Sequence, residues 1–236
     1  MAVLVACKFG KANLPGLICG PVGAPAVICI QEWWGITDNI RAQALRLSEG
    51  GFRVLVPDIY KGAVGVDMEE AHHLMSNLDF PNAVVEIGEA AAFLKAEGSS
   101  KVGIIGFCMG GALAVGSLAA HADITCGAPF YGVNFGLFQP EQLANKPVSG
   151  HFGSADAMAG FSDAPTAAKL AEMLKGNAQS QIYMYEGAGH AFMNETPQPY
   201  ASFEARTAAM GMPAFDKATA DVAWDRVIGF FGEHLK

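Results

Sequence analysis

The segment Gly106-Phe107-Cys108-Met109-Gly110-Gly111 sets a cysteine among small residues in the pattern Gly-x-nucleophile-x-Gly. A thiolate there attacks acyl groups, provided that a base manages its proton and a third group orients the base. The spacing has a steric reason. A strand turning sharply into a helix strains the residue at the apex, and its neighbours must lack side chains for the turn to close. The start of the helix then aims free N–H groups and partial positive charge at the sulfur, which favours the thiolate. The plainer alternative is a buried, inert cysteine in a glycine-rich turn.

The base must come from six histidines. His234 lies in the C-terminal turn, His72 and His73 share an exposed helix, and His121 ends the helix after the cysteine. His151 sits inside an apolar strand and suits a core. His190 follows a strand in Gly187-Ala188-Gly189-His190-Ala191-Phe192, where flexible glycines carry it onto the face beyond the strand ends. The orienting acid belongs between residues 108 and 190 in the order nucleophile, acid, histidine. Asp156 in Phe152-Gly153-Ser154-Ala155-Asp156 meets that condition at a strand end. Asp163 is its rival and equally suits a helix cap. Another acid, Glu32 in Gln31-Glu32-Trp33-Trp34-Gly35, falls on the same face beside Cys108, unless it is a solvated loop acid next to two packing tryptophans. The Trp33 and Met109 N–H groups are candidates for an oxyanion hole. No metal is expected, because Glu69-Glu70-Ala71-His72-His73 lacks the HExxH spacing. No Gly-Lys-Ser/Thr phosphate loop and no Gly-x-Gly-x-x-Gly turn occurs, so no cofactor is expected either.

These residues need strands and helices to position them. Uniformly apolar runs at Ala26–Gln31, Phe52–Val56, Val102–Gly106, Val148–Phe152 and Gln181–Tyr185 predict central strands covered on both faces. Helices are predicted from an Asp38 cap to Ser48, over Val66–Leu78 and Asn82–Glu97 with Pro81 between them, and over Met109–Ala120, Thr166–Leu174 and Lys217–His234. Strands alternating with helices predict an α/β fold with a mostly parallel central sheet and helices on both faces. Val3–Gly20 is expected to add one or two antiparallel edge strands. Ligands in such sheets sit beyond the carboxyl ends of the strands, where Glu32, Cys108, Asp156 and His190 all fall.

The 236 residues suit a single domain, 1–236. A hydrophobic fraction of 51% with only 16% charged residues excludes a disordered chain. A net charge of -8 without a basic cluster argues against nucleic acid. Val102–Ala122 carries no charge and is long enough to cross a bilayer, but repeated glycines mark it as buried strand, turn and helix. Five scattered cysteines without a CxxC imply no disulfide framework. With no signal-type leader, a cytoplasmic location is expected, and a monomer with no membrane partner.

Taken together, Gln31-Glu32-Trp33-Trp34-Gly35, Val56-Pro57-Asp58-Ile59-Tyr60, the Cys108 elbow, Phe152-Gly153-Ser154-Ala155-Asp156 and Gly189-His190-Ala191-Phe192 closely resemble the dienelactone hydrolase family (carboxymethylenebutenolidases) of the α/β-hydrolases, over nearly the whole chain. The resemblance implies Cys108 as nucleophile, His190 as base, Asp156 as its orienter, and Glu32 as the glutamate that interacts with the resting cysteine. It implies a small-molecule ester or lactone as substrate, a thioester acyl-enzyme, and Trp33 and Met109 as oxyanion donors. Two arginines that hold the substrate carboxylate in the family's name-giving enzyme are replaced here by Gly62 and Asn194, which puts specificity for an anionic lactone in question. Trp34, Tyr60, Lys61, Phe107 and Phe192 are the expected pocket residues, with Lys61 as the cation for an acidic substrate and Met193–Met212 as the only candidate lid. The competing readings are a thioesterase on the same parts, a redox-sensing thiol resolved by Cys126, and a silent ligand-binding protein.

Overall fold

A computed structural model describes residues 2–236. Its elements run β1 (Val5–Phe9), β2 (Leu14–Cys19), β3 (Ala26–Ile30), α1 (Asp38–Glu49), β4 (Arg53–Pro57), α2 (Met68–Ser76), α3 (Phe80–Ala96), β5 (Val102–Phe107), α4 (Met109–Ala120), β6 (Ile124–Phe130), β7 (Ser149–Gly153), α5 (Ala164–Met173), β8 (Gln181–Tyr185), α6 (Phe203–Met210) and α7 (Lys217–Leu235). One sheet holds all the strands in the order β1-β2-β4-β3-β5-β6-β7-β8. From β4 to β8 the neighbours are parallel. The β1–β2 hairpin joins antiparallel through β2 and β4, so β1 forms one edge of the sheet and β8 the other.

The apolar runs explain the layers. Every residue of β3, β4 and β5 is buried, because each side chain meets a helix on one face or the other. Ile28 and Ile104 pack with Ile87 of α3, Leu113 of α4 and Leu170 of α5 on one face. Val27 and Ile105 pack with Leu47 of α1 and Phe231 of α7 on the other. Each such Leu, Ile or Phe contributes about 1.5–3 kcal/mol on burial.

Some local expectations are corrected and others hold. β6 and α6 occupy segments where no element was expected. Thr37, not Asp38, is the N-cap of α1. Pro81 lies inside the first turn of α3, where its missing N–H costs nothing, and Asp79 caps that helix through the Asn82 N–H. Asp163 caps α5 by accepting from the Thr166 N–H. The uncharged stretch is β5 followed by buried α4, and no helix among the described residues is long and apolar enough to cross a membrane.

Candidate active site

Cys108 is the single residue between β5 and α4, and its φ of +54° places it in the left-handed region. That turn closes only because the flanking positions are bare. A Cβ on Gly106 would lie 1.9 Å from the Gly110 carbonyl oxygen, and one on Gly110 would lie 2.4 Å from the Gln31 oxygen. The elbow therefore aims Cys108 outward, and the residue lines a cavity of about 500 Å³ beyond the strand ends.

His190 enters the same cavity from the loop after β8. Its Nδ1–H donates to Asp156 Oδ2 at 2.7 Å, in the turn that follows β7. The Met158 N–H donates to the other Asp156 oxygen at 3.0 Å and fixes the carboxylate. Fully buried Ser162 brings its Oγ to 3.2 Å from His190 Nδ1, and its hydroxyl helps to hold the Asp156 carboxyl down. His190 Nε2 has no partner among the described residues. Burial opposes the imidazolium, yet the Cys108 sulfur and the Asp156 carboxylate beside it outweigh that and hold the His190 pKa up, at about 10. Burial likewise pushes Asp156 up, but the His190 hydrogen bond and charge override it and keep that carboxyl below its ordinary range.

Glu32 follows β3 and is 2% exposed. Its oxygens accept from Asn194 Nδ2 at 2.9 and 3.2 Å and from the Tyr131 hydroxyl at 3.4 Å. Gln43 of α1 donates to Asn194 Oδ1 and fixes which way that amide points. Burial pushes the Glu32 pKa up, with the Asn194 bond pulling against it. The hydrogen-bond partners of Glu32 are thus Asn194 and Tyr131 rather than Cys108. Trp33 and Trp34 line the cavity and meet edge to face at 4.8 Å. The backbone N–H groups of Trp33 and Met109 have no acceptor among the described residues.

The rest of the expected pocket falls elsewhere. Lys61 lines a separate surface hollow, because the tight turn after β4 swings it onto Glu86 of α3 at 2.8 Å. Tyr60 borders the same hollow but brings its hydroxyl to 3.2 Å from Met109 Sδ, beside Cys108. Phe107, the last residue of β5, is fully buried against Phe130 and Tyr131. Phe192 packs between Tyr131 and Tyr185 and borders a different hollow. Their places are taken by Met158, Phe161 and residues of the Met193–Met212 segment, which forms one wall of the cavity. Tyr131, Ser162, Asn194 and Arg206 were missed as site residues; of these only Asn194 carried a signal, by standing four residues after His190. His151 is a core residue, stacked 4.2 Å from Phe130 and bonded to Ser149 and Tyr185. Burial holds its pKa down at about 3.

All five cysteines are free. Cys126 pairs in register with Gly103, five residues before Cys108. At ~3.3 Å per residue that leaves roughly 16–17 Å between them, well beyond disulfide reach. Cys126 is therefore no resolving thiol for Cys108.

A model of the dienelactone hydrolase family matches residues 14–235. The chain is 27% identical to protein usf of Aquifex pyrophilus over the full length of both. It is 29% identical to the carboxymethylenebutenolidase of Pseudomonas putida, over 81% of this chain and 86% of the relative. The fold superposes on a dienelactone hydrolase-like promiscuous phosphotriesterase from metagenomic libraries with a TM-score of 0.79, at 20% identity, covering 100% of this chain and 99% of the other. A family match over nearly the entire chain, on this parallel sheet and elbow, identifies the protein as a member of the dienelactone hydrolase family, an ester- and lactone-cleaving hydrolase on the α/β-hydrolase fold.

Proposed function

We propose that the chain hydrolyses small esters or lactones through Cys108, His190 and Asp156, by way of a thioester acyl-enzyme. The observation that carries this reading is the shared cavity: an elbow cysteine with positive φ and a histidine whose Nδ1 is held by an acid while Nε2 is free. The Cys108 thiolate attacks the ester carbonyl carbon, and the carbonyl electron pair moves onto oxygen. The unsatisfied Trp33 and Met109 N–H groups are suited to receive that oxyanion; one such donor contributes ~3–4 kcal/mol to the transition state. Collapse expels the alkoxide, which takes the proton from the His190 imidazolium, and leaves a thioester on Cys108. Water then attacks the thioester carbonyl as His190 takes its proton, and the thiolate departs as the acid is released. Asp156 keeps the Nδ1–H tautomer throughout. Glu32, held by Asn194 and Tyr131, places a carboxylate beside the elbow.

Turnover of para-nitrophenyl acetate by wild type and Cys108→Ala tests the reading. The variant is expected to lose at least ~10³-fold in kcat/KM, and rapid quenching of wild type is expected to trap an acetyl group on the Cys108 peptide. Unchanged turnover in Cys108→Ala would sink it.

A further inference from the structure

The cavity beside Cys108 is long as well as apolar. Met68 and Met75 both line it from α2. Seven residues apart, they stand two turns along one face of that helix, so the lined path runs for about 10 Å. Ala209, Met210 and Met212, from α6 and the turn after it, add further apolar wall. Met68 and Met158 are 44% and 43% exposed, and Val66, two residues before Met68, is 71% exposed. Apolar surface thus continues from the cavity onto its lip, where it stays in water until something covers it.

The polar groups of the lining are committed to the protein. Glu32 is held by Asn194 and Tyr131, and the Gln198 oxygen accepts from the Asp38 N–H at 3.1 Å. Arg206 gives Nη2 to the Pro213 carbonyl at 2.8 Å, and its Nε and Nη1 are sealed from solvent. Among the described lining residues, a carboxylate on the substrate would meet no accessible cation except the His190 imidazolium, whose proton the reaction uses. Burying that carboxylate unpaired near Glu32 is unfavourable.

We propose that the cavity selects a neutral ester with an unbranched acyl chain of medium length, the chain lying along the Met68–Met75 face of α2. At ~1.5 Å per C–C bond, shortened by the zig-zag, about eight carbons span that path. The inference rests on Cys108 as the site of cleavage and adds what selects the molecule cleaved there. Unbranched, polarisable methionine side chains adapt to a flexible chain in its different bends. The ester carbonyl stays at the elbow, and each added CH2 leaves water until the path is filled.

The test is a series of para-nitrophenyl esters from acetyl to dodecanoyl, each kept below its micellar concentration, on wild type, Met68→Leu and Met68→Glu. In wild type kcat/KM is expected to rise about twofold or more for each added CH2 as far as about eight carbons, and no further. Met68→Glu is expected to lower the octanoyl-to-acetyl ratio at least about tenfold, and Met68→Leu to keep it. A wild-type series that is flat or falling up to octanoyl, one that climbs equally on to dodecanoyl, or a wild-type ratio in Met68→Glu overturns the proposal. Binding is read independently of turnover by displacing the neutral fluorophore N-phenyl-1-naphthylamine from Cys108→Ala with 1-octanol, 1-butanol and the octanoate anion. Octanol at least about tenfold stronger than both supports the apolar path even if ester turnover proves independent of Cys108. Octanol no stronger than either one, or no displaceable fluorophore, counts against it. Thermal unfolding of each variant, matched to wild type, confirms that a folded cavity is being compared.

Discussion

Asp156 keeps its charge because the His190 imidazole and the Met158 amide donate to it, and the Ser162 hydroxyl, 3.2 Å from His190 Nδ1, adds to the effect. Ser162 touches no reacting atom, so its effect is exerted through that pair. Removing a hydrogen bond to a charged group costs ~1.5–3 kcal/mol. Ser162→Ala is therefore expected to lower kcat/KM about tenfold or more. It also raises the pH at which Asp156 takes up a proton, so the acid limb of the pH–rate profile moves upward. A uniform loss with an unmoved acid limb would mark Ser162 as packing alone. Cys108, His190, Asp156 and Glu32 were legible in the sequence because each follows an apolar strand run and so shares one face. Ser162 and Tyr131 stand in loops whose paths no local pattern specifies, and their roles emerge only when the loops close.

The strand–helix junction is an element with almost no tolerance. In Gly106→Ala the new methyl group meets the Gly110 carbonyl, which is backbone and cannot rotate aside. That substitution is expected to cost about 3 kcal/mol or more, read as a lower urea midpoint, together with lost esterase activity; a stable, active Gly106→Ala protein would refute the elbow geometry. Uniform β-branched runs made β3, β4 and β5 readable, whereas β6 escaped because Gly127 and Pro129 interrupt Ile124–Phe130. α6 escaped for a different reason: its inward side carries Arg206, where an apolar residue would have marked the helical period. Lys61 was misplaced because the turn after β4 diverts it toward α3, while the Tyr60 hydroxyl still reaches Met109. A strand-end position indicates the side of the sheet, but not the direction a tight turn then takes.

For the molecule as a whole, the His190 proton links the site to stability. A histidine in the unfolded chain titrates near ~6.5, and burial beside Cys108 and Asp156 nets out to a native value of about 10. The folded state therefore binds this proton more tightly. The resulting stabilisation is complete below ~6.5 and is lost as pH rises through about 10. Tm is expected to fall across that interval, by ~2–4 °C for each kcal/mol in a chain of this length, and His190→Asn is expected to flatten the slope. Identical slopes in the two proteins would refute the linkage.

The burial of the other thiols has a practical side. Burial pushes Cys7, Cys19 and Cys29 up, and Cys126 to about 12, and none of the four borders the cavity that Cys108 lines. To a small electrophile diffusing into that cavity, each molecule offers one addressable sulfur. With the half-exposed Cys7 replaced by serine, the stoichiometry of a single alkylation thus serves as a head-count of competent molecules, and rates from different preparations can be placed on a common per-site scale.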